Sequence, residues 1–260
     1  MTEINLKNIE ELEYKYLEKY YHFLKYNLDD IIKGFKSREK IYDDWCGKYG
    51  LKTIIKDETK NDEKISDFCI GAERILYYFM SEKCLGLPNS CPIASDLFFE
   101  TDDSFVHIDI KTVGASLVGK TNIGDFVGNI FVGKNQNSYK GLIKTNKGDQ
   151  RQYLPLLPTF YNKNKPNQKV CLSYFLSILY DTDTSETLTI ALSCMPNGEL
   201  EKHYSSRPLV AGKTHPEARF SFTNVPNFEL LDNNKTRTKV IYFDSNMSDI
   251  YKNKLKFFED

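Results

Sequence analysis

No run of about 18 apolar residues occurs anywhere along this 260-residue chain, so a membrane-spanning helix and a membrane partner are not expected. The opening residues, MTEINLKNIEELEYKYLEKYY, are charged throughout and do not read as a secretory signal. The six cysteines, at 46, 69, 84, 91, 171 and 194, form no C-x-x-C pair. Free buried thiols in a reducing cytoplasm are expected, not disulfides or a zinc centre. The four histidines, His22, His107, His203 and His215, fall into no metal-ligand spacing. Gly119-Lys120-Thr121 lacks the leading glycine that a phosphate-binding loop needs at its fixed distance. The net charge is only −1, so the chain as a whole does not announce a nucleic-acid partner. Neither an internal repeat nor a low-complexity block is present.

What is present suits a packed core: 40% hydrophobic and 13% aromatic residues. Charge is uneven. Residues 1–100 carry 15 Lys and Arg against 19 Asp and Glu, whereas 101–260 carry 20 against 17, a slight basic excess in the later part. Apolar residues at helical spacing over 5–34 predict a packed helical pair, and 38–49 reads as a further helix. The charged stretch 56–64 reads as a linker or exposed loop. A strong amphipathic helix follows over 65–83, with Phe68, Ala72, Ile75, Leu76 and Phe79 on one face and Glu73 beside that stripe. The segments 170–180 and 187–194 read as core strands about a turn, 219–223 and 239–243 as short strands, and 248–258 as a helix. The Gly-, Asn- and Lys-rich stretch from 112 to 152 reads as loops, and the prolines of 153–161 mark an edge or loop.

Residues 96–111, DLFFETDDSFVHIDIK, carry the chemistry. Leu97 to Glu100 and Phe105 to Ile110 are β-favouring and flank a polar turn. If Glu100 faces Phe105, paired positions sum to 205 and Asp96 lies opposite Asp109. Alternation along the strand then puts Lys111 on the same face as Asp109. Like charges opposed on neighbouring strands repel. A hard divalent cation with oxygen ligands removes that conflict, and Mg²⁺ held between carboxylates and a phosphate is apparatus for phosphodiester hydrolysis. A lysine alongside can hold the attacking water. A solvated surface hairpin is the plain alternative, but the apolar neighbours Phe105, Val106, Ile108 and Ile110 predict a buried strand, where charges are rarely idle.

Asp-x(12)-Asp-x-Lys on a hairpin resembles the PD-(D/E)-x-K nuclease motif, with Ser95 where many members have proline. Gly86-Leu87-Pro88, Asp109-Ile110-Lys111-Thr112-Val113-Gly114 and YLPLLPTFY at 153–161 are similar to stretches of the restriction endonuclease BglI. Met195-Pro196-Asn197-Gly198, then Gly212-Lys213 and Ala218-Arg219-Phe220, resemble the recognition region shared by BglI and SfiI. These stretches span about residues 70–225 in the same order, whereas the first 65 carry no usable resemblance.

The resemblance implies an α/β fold of the α+β kind. It would be a single restriction-endonuclease-like domain over 1–260, with a mixed β-sheet flanked by helices. Residues 1–64 would form a helical N-terminal region and 65–260 the catalytic and DNA-recognition core. It implies a Mg²⁺-dependent type II restriction endonuclease of the bacterial cytoplasm, cutting double-stranded DNA at a palindrome, continuous or interrupted. Such an enzyme works as a homodimer or a tetramer beside a cognate DNA methyltransferase. Asp96, Asp109 and Ile110 would hold the metal, Lys111 would act on the water, and Glu73 falls where the family often has a helical glutamate near the metal. Lys213 and Arg219 match DNA-reading positions; Ser221 stands where a second arginine is usual, and His215 lies between. Phe220 and Phe222 facing the core would leave Arg219 and Ser221 on one outer face. Two other functions stay open on sequence: a nuclease selecting DNA structure, as in repair or recombination, and a non-catalytic DNA-binding protein of this fold.

Overall fold

The computed structural model describes residues 6–36, 67–82, 87–88, 95–117, 123–144, 148–204, 208–212, 218–221, 229–231 and 235–258. The expected helix over 38–49 and the charged stretch 56–64 lie outside them, as do Lys213 and His215. Six helices are described: α1 (Leu6–Tyr26), α2 (28–36), α3 (Asp67–Glu82), α4 (Ile123–Gly128), α5 (Glu201–Tyr204) and α6 (Asp249–Leu255). The strands are β1 (Leu87–Pro88), β2 (Leu97–Glu100), β3 (Ser104–Ala115), β4 (Ile130–Val132), β5 (Gly141–Lys144), β6 (Gln150–Tyr153), β7 (Phe160–Tyr161), β8 (Lys169–Asp181), β9 (Thr187–Met195), β10 (Val210–Ala211), β11 (Ala218–Phe220) and β12 (Thr238–Phe243).

The main sheet runs β1-β2-β3-β8-β9-β12, with β7 paired to the start of β8. It is mixed: β3 and β8 are parallel, and the other pairs are antiparallel. β9 is buried at every position and β8 at all but its first. Strands covered on both faces read as continuous apolar runs, which is why 170–180 and 187–194 were legible without alternation. The two faces of β8 go to different layers. Tyr174 turns its ring edge to Tyr20 of α1 and donates its hydroxyl to the Glu13 carbonyl. Phe175 packs on Phe220 of β11. The helices α1 to α3 therefore cover one face, while α4 and a small sheet, β10-β11-β4, lie against the other.

The stretch 112–152 departs from its sequence reading. β3 runs on to Ala115, and α4, β4 and the β5–β6 hairpin follow. Gly128, Asn129, Gly133, Asn135, Asn137 and Gly148 sit at the joints between short elements, so the composition marks turns and hides the structure between them. Cys171 and Cys194 are buried free thiols, in line with expectation. No described helix is long and apolar enough to cross a membrane.

The N-terminal helix is bolted to the sheet by charge. Arg237, just before β12, is fully buried; its guanidinium pairs with Glu10 at 2.8 Å and Glu13 at 2.7 Å, both from α1. Its Nε donates to the Tyr204 hydroxyl at 2.9 Å. Glu13 accepts from the Asn197 N–H at 2.6 Å, and Asn197 donates its amide to the carbonyls of Thr159 and Cys171. Gly198 follows, where a Cβ would stand 2.2 Å from the Ser138 carbonyl oxygen. The Pro196-Asn197-Gly198 turn is thus a buried joint of α1, β7, β8 and the 137–140 segment. Removing one partner of such a network leaves uncompensated charge. Arg237→Met should lower the unfolding free energy by about 3–5 kcal/mol in a denaturant titration; a loss below about 1 kcal/mol, the worth of a surface pair, would show that the network carries little.

Candidate active site

The β2–β3 hairpin has the expected register, from Glu100 opposite Phe105 to Leu97 opposite Ile108. One further step sets Asp96 across from Asp109, beyond the last paired residue of β2. There the Asp96 side chain takes over from the backbone: its Oδ2 accepts the Ile110 N–H at 2.6 Å. The N–H and C=O of one strand residue point to the same edge. The Ile110 carbonyl therefore also faces the edge of β3 that β2 has left.

Asp109 is only 3% exposed. Burial pushes its carboxyl up to about 6; Lys111 works against this, while the charges of Asp96 and Glu73 add to it. Glu73, on α3, thus lies within electrostatic reach of the pair. Asp96, at the exposed rim, is also raised by partial loss of solvent, opposed by the Ile110 N–H and by Lys111. The Lys111 ammonium pairs with Asp109 Oδ2. Gln136, in the turn after β4, donates to Asp109 Oδ1 at 2.6 Å, and its own Oε1 accepts from Lys111 at 3.2 Å.

His107 shares that strand face but is already engaged. Its Nδ1 meets Ser95 Oγ at 3.1 Å, its Nε2 meets the Tyr161 hydroxyl at 2.9 Å, and it stacks on Phe98. Burial lowers it to about 4, so it is neutral at neutral pH.

A cleft of about 520 Å³ runs from Lys111, Thr112 and Val113 past Asp125 and Asn129 to Phe131 and Arg219. Arg219 is the middle residue of β11 and pairs with Phe131 of β4 on one side and Val210 of β10 on the other. Ser221 is not beside it: the chain leaves the strand after Phe220, the alternation breaks, and Ser221 is buried with its Oγ donating to the Val127 carbonyl. Gln136 and Phe131 escaped sequence reading. Neither belongs to a motif or a periodic run, and both reach the site only because the segment between β3 and β8 folds back over the sheet.

Among the described residues, no three His, Cys, Asp or Glu side chains form a closed metal cage. Mg²⁺ needs no such cage, since it keeps several waters and takes one or two carboxylates. The donor set fits: Asp96, Asp109 and the Ile110 carbonyl supply oxygens on one edge. Asp109 Oδ2 is buried with no hydrogen bond among the described residues beyond its ion pair with Lys111.

A mixed sheet with this hairpin at its heart, covered by helices on one face and by a helix and a small sheet on the other, is the restriction-endonuclease-like fold. BglI, solved bound to its DNA recognition sequence, superposes with a TM-score of 0.63 at 14% identity, over 89% of this chain and 90% of that one. SfiI, solved as a tetramer bound to cognate DNA, gives 0.62 at 15%, over 94% and 88%. No curated protein matches the chain by sequence. The family models are decisive: the N-terminal domain of the type II restriction enzyme MwoI matches residues 5–184, and its central domain matches 187–243. The chain belongs to the MwoI family and is a type II restriction endonuclease. The two models meet in the turn of the β8–β9 hairpin, inside the main sheet.

The raised carboxyl of Asp109 has a measurable cost. The folded protein keeps a proton there that the unfolded chain releases, so stability falls as pH rises from the unfolded value of 3.8 to the folded value of about 6. The cost then persists at higher pH. Without divalent cation at about pH 7.5, Asp109→Asn should be more stable than wild type by about 1–3 kcal/mol, and the gap should close below about pH 4. Equal stability at the higher pH would mean that Lys111 and Gln136 already offset the burial.

Proposed function

We propose that this chain hydrolyses phosphodiester bonds of double-stranded DNA at a palindromic site, continuous or interrupted, in a Mg²⁺-dependent reaction. The observation that supports it most is the pairing of Asp96 and Asp109 across the end of one hairpin, with Lys111 in ion contact with Asp109. Asp96, Asp109 and the Ile110 carbonyl would hold Mg²⁺, with Glu73 behind them. When bound, the ion supplies neutralisation of phosphate charge and a lowered pKa for water. Lys111 orients the attacking water with its ammonium and offsets charge on the phosphoryl group. Attack in line with the phosphorus breaks the opposite P–O bond, and the departing oxygen takes a proton. We read the chain as one domain of a bacterial cytoplasmic enzyme, active beside a methyltransferase that protects the host's own sites.

Arg219 stands at the far end of the cleft from Lys111, where it can bond guanine O6 and N7 in the major groove. A good bidentate pair gives roughly 1–3 kcal/mol of discrimination. Lys213 and His215 follow Gly212, which lines the same cleft. A palindrome has two-fold symmetry, which a homodimer matches with one reader and one site per strand; paired dimers give a tetramer.

Digestion of a plasmid of known sequence tests the assignment. The wild type should give discrete fragments with Mg²⁺ and none without it. Asp96→Ala, Asp109→Ala and Lys111→Ala should abolish cutting while the proteins stay folded. Ends scattered at structural features of the DNA would point to a structure-selective nuclease, and no cutting to a binding protein. Arg219→Ala should lose cognate cleavage far more than affinity for random duplex. An equal loss on both would move Arg219 to phosphate contact, where removal lowers the salt slope by about one. Mass measurement should give a dimer or a dimer of dimers; a strict monomer on cognate DNA would overturn the symmetry argument.

A further inference from the structure

β4 and the turn that follows it touch both ends of the cleft. Phe131 is the hinge between the two cations: the Arg219 guanidinium lies 5.1 Å from its ring centroid and the Lys111 ammonium 5.5 Å. Directly after Val132, the last paired residue of β4, the turn from Gly133 to Gln136 closes on itself. The Gln136 N–H donates to the Gly133 carbonyl at 3.1 Å, and the Gly133 N–H donates to Gln136 Oε1 at 2.6 Å. The amide cannot be reversed, because Oε1 meets two donors, Gly133 N–H and Lys111, while Nε2 meets only the Asp109 carboxylate. Gly133 makes room for it: a Cβ there would lie 3.0 Å from Gln136 Cδ and Oε1. The turn is braced from behind by the Tyr153 hydroxyl, which donates to the Gly133 carbonyl at 2.9 Å. No slack separates β4's backbone from the carboxylate of Asp109.

We propose that Gln136 is a positioning residue that ties the β4–β11 sheet to Asp109 and Lys111, so that Arg219 engaging its base sets the alignment of the cutting pair. This rests on the roles given above to Asp109, Lys111 and Arg219. Gln136 holds Asp109 Oδ1, fixes the rotation of that carboxylate and leaves the Oδ2 edge toward Lys111. Phe131 gives the same sheet a second, face-on contact with Lys111. A strand that moves with Arg219 therefore moves both groups together.

The test uses the intact protein at sites mapped for the wild type, with Gln136→Ala, with Gln136→Met, which keeps bulk without donors, and with Gly133→Ala, whose added methyl displaces the Gln136 amide. Each should lower kcat by about 10- to 100-fold, the usual effect of losing a partner that orients a site ligand. Affinity for the cognate duplex without divalent cation should stay within about twofold. The coupling is read from a double-mutant cycle on kcat. Combining Gln136→Ala with Arg219→Ala should cost at least about threefold less than the product of the single losses, because a severed link cannot be severed twice. If Asp109→Ala or Arg219→Ala cuts like the wild type, the site assignment fails and takes this inference with it. If those two lose cleavage while the Gln136 variants cut at the wild-type rate, or if the combined losses multiply, the site stands and the link is refuted.

Discussion

The parallel pairing of β3 with β8 governs the rest of the molecule. It runs unbroken from Ser104 beside Val170 to Ala115 beside Asp181. Parallel neighbours cannot be joined by a tight turn, so the chain must travel back over the sheet between them. Here that return holds α4, β4, the β5–β6 hairpin and β7. It lays β4 beside β11, a strand from much later in the chain, and closes the small sheet over the face that carries Asp109 and Lys111. A hairpin in the same place would have left the carboxylate at an open surface, solvated and of ordinary acidity.

What the sequence disclosed follows the range of the interactions. The register that opposes Asp96 to Asp109 was legible because a short polar turn at residues 101–103 joins two apolar strands, and one slip would expose Val106, Ile108 and Ile110. The strands β8 and β9 were legible as apolar runs bounded by a turn. The expected Lys111 placement needed only strand alternation. Gln136 was illegible for the opposite reason: its partners lie 25 and 27 positions away, across a crossover whose path no local pattern dictates. Ser221 was misplaced because alternation was carried one residue past the end of a three-residue strand.

The signature Pro196-Asn197-Gly198 shows how a resemblance can be sound and its reason different. Those residues were read with the recognition region, but the turn is buried and its polar groups are spent on Glu13, Thr159 and Cys171. Gly198 is demanded by the Ser138 carbonyl at its back. The turn fixes where the segment after Gln136 lies against the sheet, so its link to function runs through backbone placement.

The pairing of Glu10 with Arg237 spans 227 positions of the chain. During synthesis the helix that bears Glu10 and Glu13 therefore leaves the ribosome long before its basic partner. Until then, docking α1 on the sheet would bury the two carboxylates with neutral donors such as the Asn197 N–H and the Tyr204 hydroxyl but without the cation that balances them. The charge balance of this face thereby waits for Arg237 to be made. A polypeptide that stopped short of Arg237 would have to bury both carboxylates without their cation, a charge penalty set against the apolar contacts that α1 makes with β8.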